Sequence, residues 1–180
     1  MIGELLTERL WLRPWSAEFG EPLAAMNRDP EVMRFIRAGA TLRREESLTQ
    51  SERLEAHWAE FGFGLWCAQE RRSGEFLGFV GLSHPLWFPA LATEVEVGWR
   101  LARAAWGHGY ATEGSRAALR AAFTTLELPR VVSLIHPGNT RSRAVAERLG
   151  LTLEQELPHP SEPVNVAVYS RERPSAARPA

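Results

Sequence analysis

The stretch "EVGWRLARAAWGHGYATEGSRAALRAAF", residues 96–123, constrains the fold more than any other part of this chain. A strand-like pattern leads through two glycines, separated by one residue, into a strongly helix-forming run. Such a loop leaves backbone N–H groups unpaired where the helix begins, and the helix dipole adds partial positive charge there. Glycines let a phosphate approach the main chain closely. The pattern indicates an anion site, with a tight turn that merely needs positive φ as the alternative.

The loop does not match the common nucleotide-binding patterns. It lacks G-x-x-x-x-G-K-[ST], so it is not the P-loop of a nucleoside triphosphatase. The third glycine position of G-x-G-x-x-G is occupied by Thr112. The acidic residue expected on a second strand about 20 residues further on is also missing, because that region is helical. Both the mononucleotide and the dinucleotide interpretation are therefore disfavoured.

The remaining chain predicts one mixed α/β domain over residues 1–170. A first strand lies in 9–15 and a hairpin in 62–84, and early helices are predicted around 16–36 and 42–61. After the segment described above come a buried strand at 130–136, a short helix closing on Gly150 and two final strands. A length of 180 residues suits one compact domain. The polar, proline-bearing segment 171–180 is predicted to be a disordered tail.

Composition and charge exclude several classes of function. The formal net charge of −1 offers no electrostatic case for nucleic acid or an anionic membrane as partner. No apolar run approaches the ~20 residues of a membrane span, and the charged N-terminus does not resemble a signal peptide, so a cytoplasmic protein is expected. Cys67 stands alone in an apolar run and is predicted to be a small buried hydrophobe. The histidines lack metal-ligand spacing, so no metal is expected.

Segments 95–123 and 136–151 together resemble the acetyl-CoA-binding core of the GNAT N-acetyltransferases, and within them the RimJ/RimL-type branch. Segments 7–15, 57–70 and 74–83 are similar to earlier parts of that branch, so the resemblance covers roughly residues 5–170. The family's glycine pattern begins with Gln or Arg three residues before the first glycine, whereas this chain has Ala104. The resemblance implies the GNAT fold, an α/β (α+β) architecture with a splayed, mostly antiparallel sheet flanked by helices.

The resemblance also implies which residues hold acetyl-CoA. Backbone N–H groups of residues 107–112 would cradle the pyrophosphate, and main-chain groups of residues 99–101 would pair with the pantetheine arm. Asn139 and Ser142 would lie near the thioester and the pantetheine. The implied cofactor-binding residues are Trp99, Arg100, Leu101, Gly107, His108, Gly109, Tyr110, Ala111, Thr112, Asn139 and Ser142.

Acetyl transfer to an amine needs a deprotonated nucleophile, a polarised carbonyl and a proton for the leaving thiolate. Glu96 matches an acidic position of the branch and is the candidate base, with Glu94 in reserve; a solvent-facing strand residue is the alternative. A backbone N–H between Val97 and Trp99 would stabilise the oxyanion. Many family members use a tyrosine as general acid, but the equivalent position here is Ala146. Ser142 remains as a weak candidate acid, with water as the other source of the proton.

The acceptor is expected to be a primary amine, either a protein N-terminal amine or a small molecule. Residues 84–93 and the early helices are predicted to form the substrate mouth. Trp87, Phe88, Glu94 and His136 are the candidate substrate-binding residues. The missing tyrosine keeps open a catalytically inactive acyl-CoA-binding sensor or interaction module, and another acyl donor or a hydroxyl acceptor also stays open. The apolar loop and the final strands are compatible with a homodimer.

Overall fold

The computed structural model of the protein describes residues 2–174, which form five α-helices, four short 3-10 helices and eight strands. The α-helices are α1 (Gly20–Asn27), α2 (Pro30–Met33), α3 (Arg44–Phe61), α4 (Tyr110–Thr124) and α5 (Thr140–Arg148). The strands are β1 (Leu5–Leu6), β2 (Leu10–Arg13), β3 (Leu65–Glu70), β4 (Phe76–Ser83), β5 (Glu96–Leu101), β6 (Arg130–Ile135), β7 (Thr152–Pro158) and β8 (Asn165–Glu172).

All eight strands join one open sheet in the order β1-β2-β3-β4-β5-β6-β8-β7. Every neighbouring pair is antiparallel except β5 and β6, which run parallel. These two strands share a single register pair, Glu96 with Val132, and diverge beyond it. The sheet is therefore splayed at its centre, and the predicted mixed, mostly antiparallel sheet with flanking helices is confirmed.

The helices cover the sheet because their apolar or small residues are placed at helical spacing. In α4 the buried positions are mostly small, including Ala117, Ala118, Ala121 and Ala122, which lets the helix lie close to β4 and β5. Helix α1 packs on α3 and touches β4. The core between these layers includes Trp66, Leu10 and Val97, none of which is exposed to solvent.

Several local features follow from the sequence, and the predicted burial of Cys67 is confirmed. Pro30 opens α2, and the Asp29 side chain caps it by accepting a hydrogen bond from the Glu31 N–H. Helix α3 spans Arg44–Phe61, close to the predicted 42–61, and Gly150, predicted to close α5, adopts φ +77°. Cys67 is fully buried, and this burial raises the pKa of its thiol to about 12, so it is an inert core residue.

The predicted disordered tail at 171–180 begins inside the last strand. Arg171 and Glu172 belong to β8, where Arg171 pairs with Val131, because the ladder to β6 continues that far. The Arg173 N–H also donates to the Pro129 carbonyl. Residues 175–180 lie outside the described part of the chain. None of the helices within residues 2–174 is long and apolar enough to cross a membrane.

Candidate functional site

The glycine loop before α4 has the geometry that its sequence predicts for an anion site. Gly107 and Gly109 both adopt φ +81°, and no atom lies within 4 Å of the position where a Cβ of Gly107 would stand. Gly109 is the N-cap of α4, and no side chain satisfies the first N–H groups of the helix. The amides of Tyr110, Ala111 and Thr112 therefore lie at the open, positive end of a 15-residue helix.

A cation that the sequence analysis did not single out braces this loop. Arg9, just before β2, donates from Nη1 to the His108 carbonyl at 2.8 Å and pairs with Glu113 of α4 at 2.6 Å. Its guanidinium also lies 4.8 Å from the centre of the Tyr110 ring. His108 itself is exposed and contributes its carbonyl to this arrangement. Arg9 is nearly 100 residues away from this loop in the sequence, so no local sequence pattern could indicate that it contacts the loop.

The splay between β5 and β6 leaves main-chain groups of β5 without a strand partner. Successive residues of a strand direct their N–H and C=O groups to opposite neighbours. The Ala102 N–H donates to Leu77 of β4, whereas the Val95 carbonyl accepts from the Val132 N–H of β6. By this alternation the main chain of Trp99 points towards β6, beyond the single register pair. The carbonyl of Leu101, in contrast, accepts a hydrogen bond from the Trp106 indole at 2.8 Å.

Helix α5 begins at the open end of the splay. The Asn139 side chain caps the helix by accepting from the Ser142 N–H at 3.1 Å. The Ser142 hydroxyl accepts from the Trp99 indole at 3.3 Å, which ties the start of α5 to β5. Position 146 of α5 is an alanine, which has no hydroxyl, and its side chain is completely buried.

Glu96 stands where β5 and β6 begin to diverge. Its Oε1 accepts a hydrogen bond from the Leu134 N–H at 3.3 Å, which helps to satisfy β6 where the ladder to β5 has ended. Burial raises the pKa of this carboxyl from the ordinary value of 4.5 to about 7, and the Leu134 N–H opposes part of that rise. A carboxyl that titrates near neutral pH is suited to accept a proton at physiological pH.

Glu96 lies in the wall of a cavity of about 560 Å³ between β5, β6 and the segments that lead into and through α3. Gly98 forms the floor of the cavity. If Gly98 had a Cβ, the nearest atom to it would be the Glu96 Oε1, at 4.0 Å. The cavity brings together seven of the predicted residues, namely Trp87, Glu96, Trp99, Arg100, His136, Asn139 and Ser142. A second concavity, between α4 and β8, contains none of them.

Two predicted substrate residues lie away from this wall. Phe88 is only 3% exposed, and its ring packs edge-on against Trp87. Glu94, just before β5, pairs with Arg130, the first residue of β6, at 3.3 Å. Trp87 is 48% exposed and stacks on His159 at the cavity mouth, and His136 packs 5.1 Å from Phe35. Neither Phe88 nor Glu94 lines the cavity, so the geometry does not place them against a substrate.

The opposite wall contains residues that sequence reasoning missed. They come from the segment after α2 and from α3 and include Phe35, Arg37, Gln50 and Arg53. Only the helical spacing of α3 was visible in the sequence, and it does not reveal which polar positions face a cavity. Within residues 2–174 there is no cluster of three or more His, Cys, Asp or Glu side chains that could hold a metal ion.

Comparison with known proteins bears on this geometry. The model of the acetyltransferase (GNAT) domain family matches residues 9–152, which is most of the chain. An acetyltransferase from Agrobacterium tumefaciens str. C58 is 34% identical, with a TM-score of 0.81 over 96% of this chain and 95% of its own.

Two further relatives are informative. The FsC-acetyl coenzyme A-N(2)-transacetylase of Aspergillus fumigatus is 34% identical to this chain. The matched region covers 82% of this chain and 64% of that protein. RimL, the ribosomal L7/L12 α-N-protein acetyltransferase solved with coenzyme A, has a TM-score of 0.77 at 18% identity, with coverage of 93% of this chain and 96% of its own. At that identity RimL shares the fold, which is consistent with the RimJ/RimL-type branch.

Proposed function

Because the chain belongs to the GNAT acetyltransferase family and is an acetyl-CoA-dependent acyltransferase, we propose that it acetylates a primary amine by direct attack in a ternary complex. We assign the acceptor to the cavity lined by Glu96 and call it the acceptor cavity. The observation that carries the proposal is Glu96 itself, a carboxyl with a pKa of about 7 where this cavity meets the splayed strands. The acceptor is a protein N-terminal amine or a small-molecule amine. The N-acetylating names of the Aspergillus relative and of RimL support nitrogen as the acceptor atom.

The described residues fit acetyl-CoA in two places. The glycine loop, with its two left-handed glycines and unpaired helix amides, suits the pyrophosphate. The β5 edge, where the Trp99 carbonyl has no partner on the β6 side, suits an amide N–H of the pantetheine arm. Asn139 and Ser142 stand at the open end of the same splay. Bound there, acetyl-CoA supplies an acetyl group activated as a thioester.

Glu96 prepares the nucleophile. A primary amine reaches the cavity mostly as an ammonium ion, since an α-amine has a pKa near 8 and alkyl amines have higher values. The ionised Glu96 accepts a proton from this ammonium, directly or through a water molecule, and frees the lone pair for attack. The raised pKa makes the carboxylate a stronger base than an ordinary glutamate, although a smaller fraction of it is ionised at neutral pH.

The Trp99 N–H is the candidate donor for the oxygen on which negative charge develops during attack. It points into the splay, beyond the single register pair that joins β5 to β6. A donor without a strand partner is free to bind the developing oxyanion. The leaving thiolate needs little assistance because a free thiol has a pKa of about 8.5. Ser142 is the hydroxyl of α5 that could pass a proton to it, and bulk water is the other source.

The test is product formation by the wild type and by Glu96→Gln. Wild-type protein given acetyl-CoA and a panel of primary amines is expected to release free CoA thiol and form N-acetyl products detected by mass spectrometry. Glu96→Gln is nearly isosteric and retains an oxygen for the Leu134 N–H, so we expect it to fold, to bind CoA normally and to lose at least about 100-fold in kcat/KM.

Two outcomes would contradict the proposal. Unchanged turnover in Glu96→Gln would remove this carboxyl from the mechanism. Tight CoA binding without transfer to any amine would favour an acyl-CoA-binding sensor. Products acetylated on oxygen, or transfer only from a longer acyl-CoA, would correct the acceptor atom or the donor.

A further inference from the structure

The acceptor cavity contains an arginine that forms no salt bridge with any residue of the described part of the chain, and its surroundings indicate which group the acceptor must carry. We propose that the amine acceptor carries a carboxylate that binds the Arg100 guanidinium, so that the substrate class is an amino acid or a similar zwitterionic amine. This inference rests on the proposed N-acetyltransferase function. It goes beyond that function because it specifies the second charged group of the acceptor.

Arg100 extends from β5 on the same face as Glu96 and Gly98, since these residues alternate with Val97 and Trp99 along the strand. Its Nη1 donates to the Asn27 Oδ1 at 2.8 Å, and its guanidinium carbon lies 5.1 Å from the centre of the Phe79 ring. The Nε is buried and makes no hydrogen bond within residues 2–174. Burial, with a smaller contribution from Arg37, lowers the pKa of Arg100 to about 10, so it remains a cation at neutral pH.

Asn27 holds this cation in place without neutralising it. Asn27 is completely buried at the end of α1, and its Nδ2 donates to the Ser47 hydroxyl at 3.1 Å and to the Gln50 Oε1 at 2.9 Å. Both partners belong to α3, so the amide oxygen is presented to Arg100 in a fixed orientation. An arginine with a purely structural role in a poorly hydrated site normally has a carboxylate partner. Here the partner is a neutral amide, and the positive charge remains available for a ligand.

The wall facing Arg100 adds positive charge. Arg37 and Arg53 also line the cavity. Residues 37–39 all have positive φ, with values of +52° for Arg37 and Ala38 and +84° for Gly39. Left-handed conformations of non-glycine residues are strained, and such strain tends to persist where a local geometry serves a site. This turn sets Arg37 at the rim of the cavity.

The carboxylates of the cavity are placed where they do not neutralise Arg100. Glu46 is engaged by the N–H and the Nε of Arg43, and Glu162 lies 3.8 Å from His159. Glu96 bonds the Leu134 N–H above Gly98, two residues along the strand from Arg100. The cavity thus has a carboxylate beside the splay and a cation further along the same face. A zwitterion fits this polarity, with its ammonium at Glu96 and its carboxylate at Arg100.

The anionic group that binds Arg100 is better assigned to the acceptor than to CoA. The glycine loop and the start of α4, which suit phosphate groups, follow the end of β5 near which Arg100 lies, but they are braced by a different arginine, Arg9. Arg100 instead contacts α1 through Asn27 and faces the wall contributed by α3. Charge-assisted hydrogen bonds from a guanidinium to a carboxylate are among the stronger polar contacts in proteins.

The experiment compares matched amines that differ only in charge. Each of a series of α- and ω-amino acids is paired with its carboxamide, and kcat/KM is measured by release of CoA thiol. We expect the wild type to prefer the acids and Arg100→Gln to reduce the acid-to-amide ratio by about 10- to 100-fold. Because both proteins meet the same substrates, differences in amine pKa between acid and amide cancel in this comparison.

Three variants control the result. Arg100→Lys keeps the charge and should retain part of the preference. Arg120→Gln removes an exposed arginine of α4 and should leave the ratio unchanged. Arg37→Gln changes an exposed side chain at the rim, so it should fold even if Arg100→Gln does not, and should lower the ratio by about two- to threefold through the weaker potential.

The proposal would be overturned if Arg100→Gln lost the same factor in kcat/KM on acids and amides, because the acid-to-amide ratio would then equal that of the wild type. If no amine is acetylated although CoA binds, the proposed function fails separately. The anion site is then decided by thermal shifts with N-acetylated amino acids and their carboxamides in the presence of CoA. A stabilisation by the acids that Arg100→Gln abolishes would support the site, and equal shifts with acids and amides, or none, would refute it.

Discussion

At the scale of single residues, the chemistry depends on how the environment changes ordinary side chains. Glu96 would have a normal acidity on an exposed strand, and its position at the divergence of β5 and β6 is what desolvates it and raises its pKa. Arg100 is likewise ordinary in sequence but is held by a buried amide. The type of residue at each position was visible in the sequence, whereas the solvation that makes it reactive was not.

The pH dependence of Glu96 gives a prediction at this scale. The ionised base exists above its pKa of about 7, so kcat/KM of the wild type is expected to rise with pH through this region. The rise should be measured with an acceptor whose own amine titrates well above pH 8, so that the two groups are separated. An activity that is already independent of pH between 5.5 and 8 would contradict the assignment of Glu96 as the base.

The raised pKa of Glu96 also predicts how the stability of the wild type changes with pH relative to Glu96→Gln. The folded protein binds the Glu96 proton more tightly than the unfolded chain, because its pKa is raised from 4.5 to about 7. Its contribution to stability is therefore present at low pH and is lost as the pH rises through this interval. Glu96→Gln lacks this loss, so its Tm relative to the wild type should increase between pH 5 and pH 8.

At the scale of elements, β5 and the loop that follows it carry most of the site. One face of this strand supplies the candidate base, the open floor at Gly98 and the unneutralised arginine, and the strand edge towards β6 supplies the candidate oxyanion donor. The succeeding loop turns the chain with two left-handed glycines and exposes the amides of α4. The sequence predicted this strand, loop and helix because the periodicity and the glycines are local signals.

The phosphate role of the loop is tested by comparing Gly109→Val with Gly74→Val. Both glycines adopt positive φ, +81° and +75°, so valine should cost each protein a similar 1–2 kcal/mol or more of stability. Gly74 lies in the turn between β3 and β4, away from α4, and no atom is within 4 Å of its Cβ position. Only Gly109→Val, which places a branched side chain at the start of α4, should weaken CoA binding by about tenfold or more in calorimetry. Equal affinities in the two variants would mean that the loop is only a turn.

At the scale of the whole molecule, the cavity exists because distant parts of the chain meet over the splayed sheet. Its walls come from the segment after α2, from α3, from β5 and β6 and from the loop between β7 and β8. Ligand binding at such a junction should stabilise the fold as a unit, since several elements contact the same ligand.

A thermal-shift titration checks this expectation. Acetyl-CoA or CoA at ~100 times its dissociation constant adds about 2.7 kcal/mol. For a protein of this size that corresponds to a rise in Tm on the order of 5–10 °C. NAD and ATP at the same concentrations serve as controls and are expected to give much smaller shifts. No CoA-dependent shift at millimolar ligand would contradict the placement of CoA on the glycine loop and the β5 edge.

The sequence by itself determined the parts that rest on local patterns. These are the order of strands and helices, the glycine loop before α4 and the carboxyl at Glu96, and the family resemblance followed from several such segments in the right order. Only the tertiary structure decided which side chains share the cavity. It turned Phe88 into the core, paired Glu94 with Arg130, and brought Arg9 to the loop and Asn27 to Arg100. The physical reason is that these contacts join residues up to about 100 positions apart, and their energies depend on burial and packing, which no local pattern encodes.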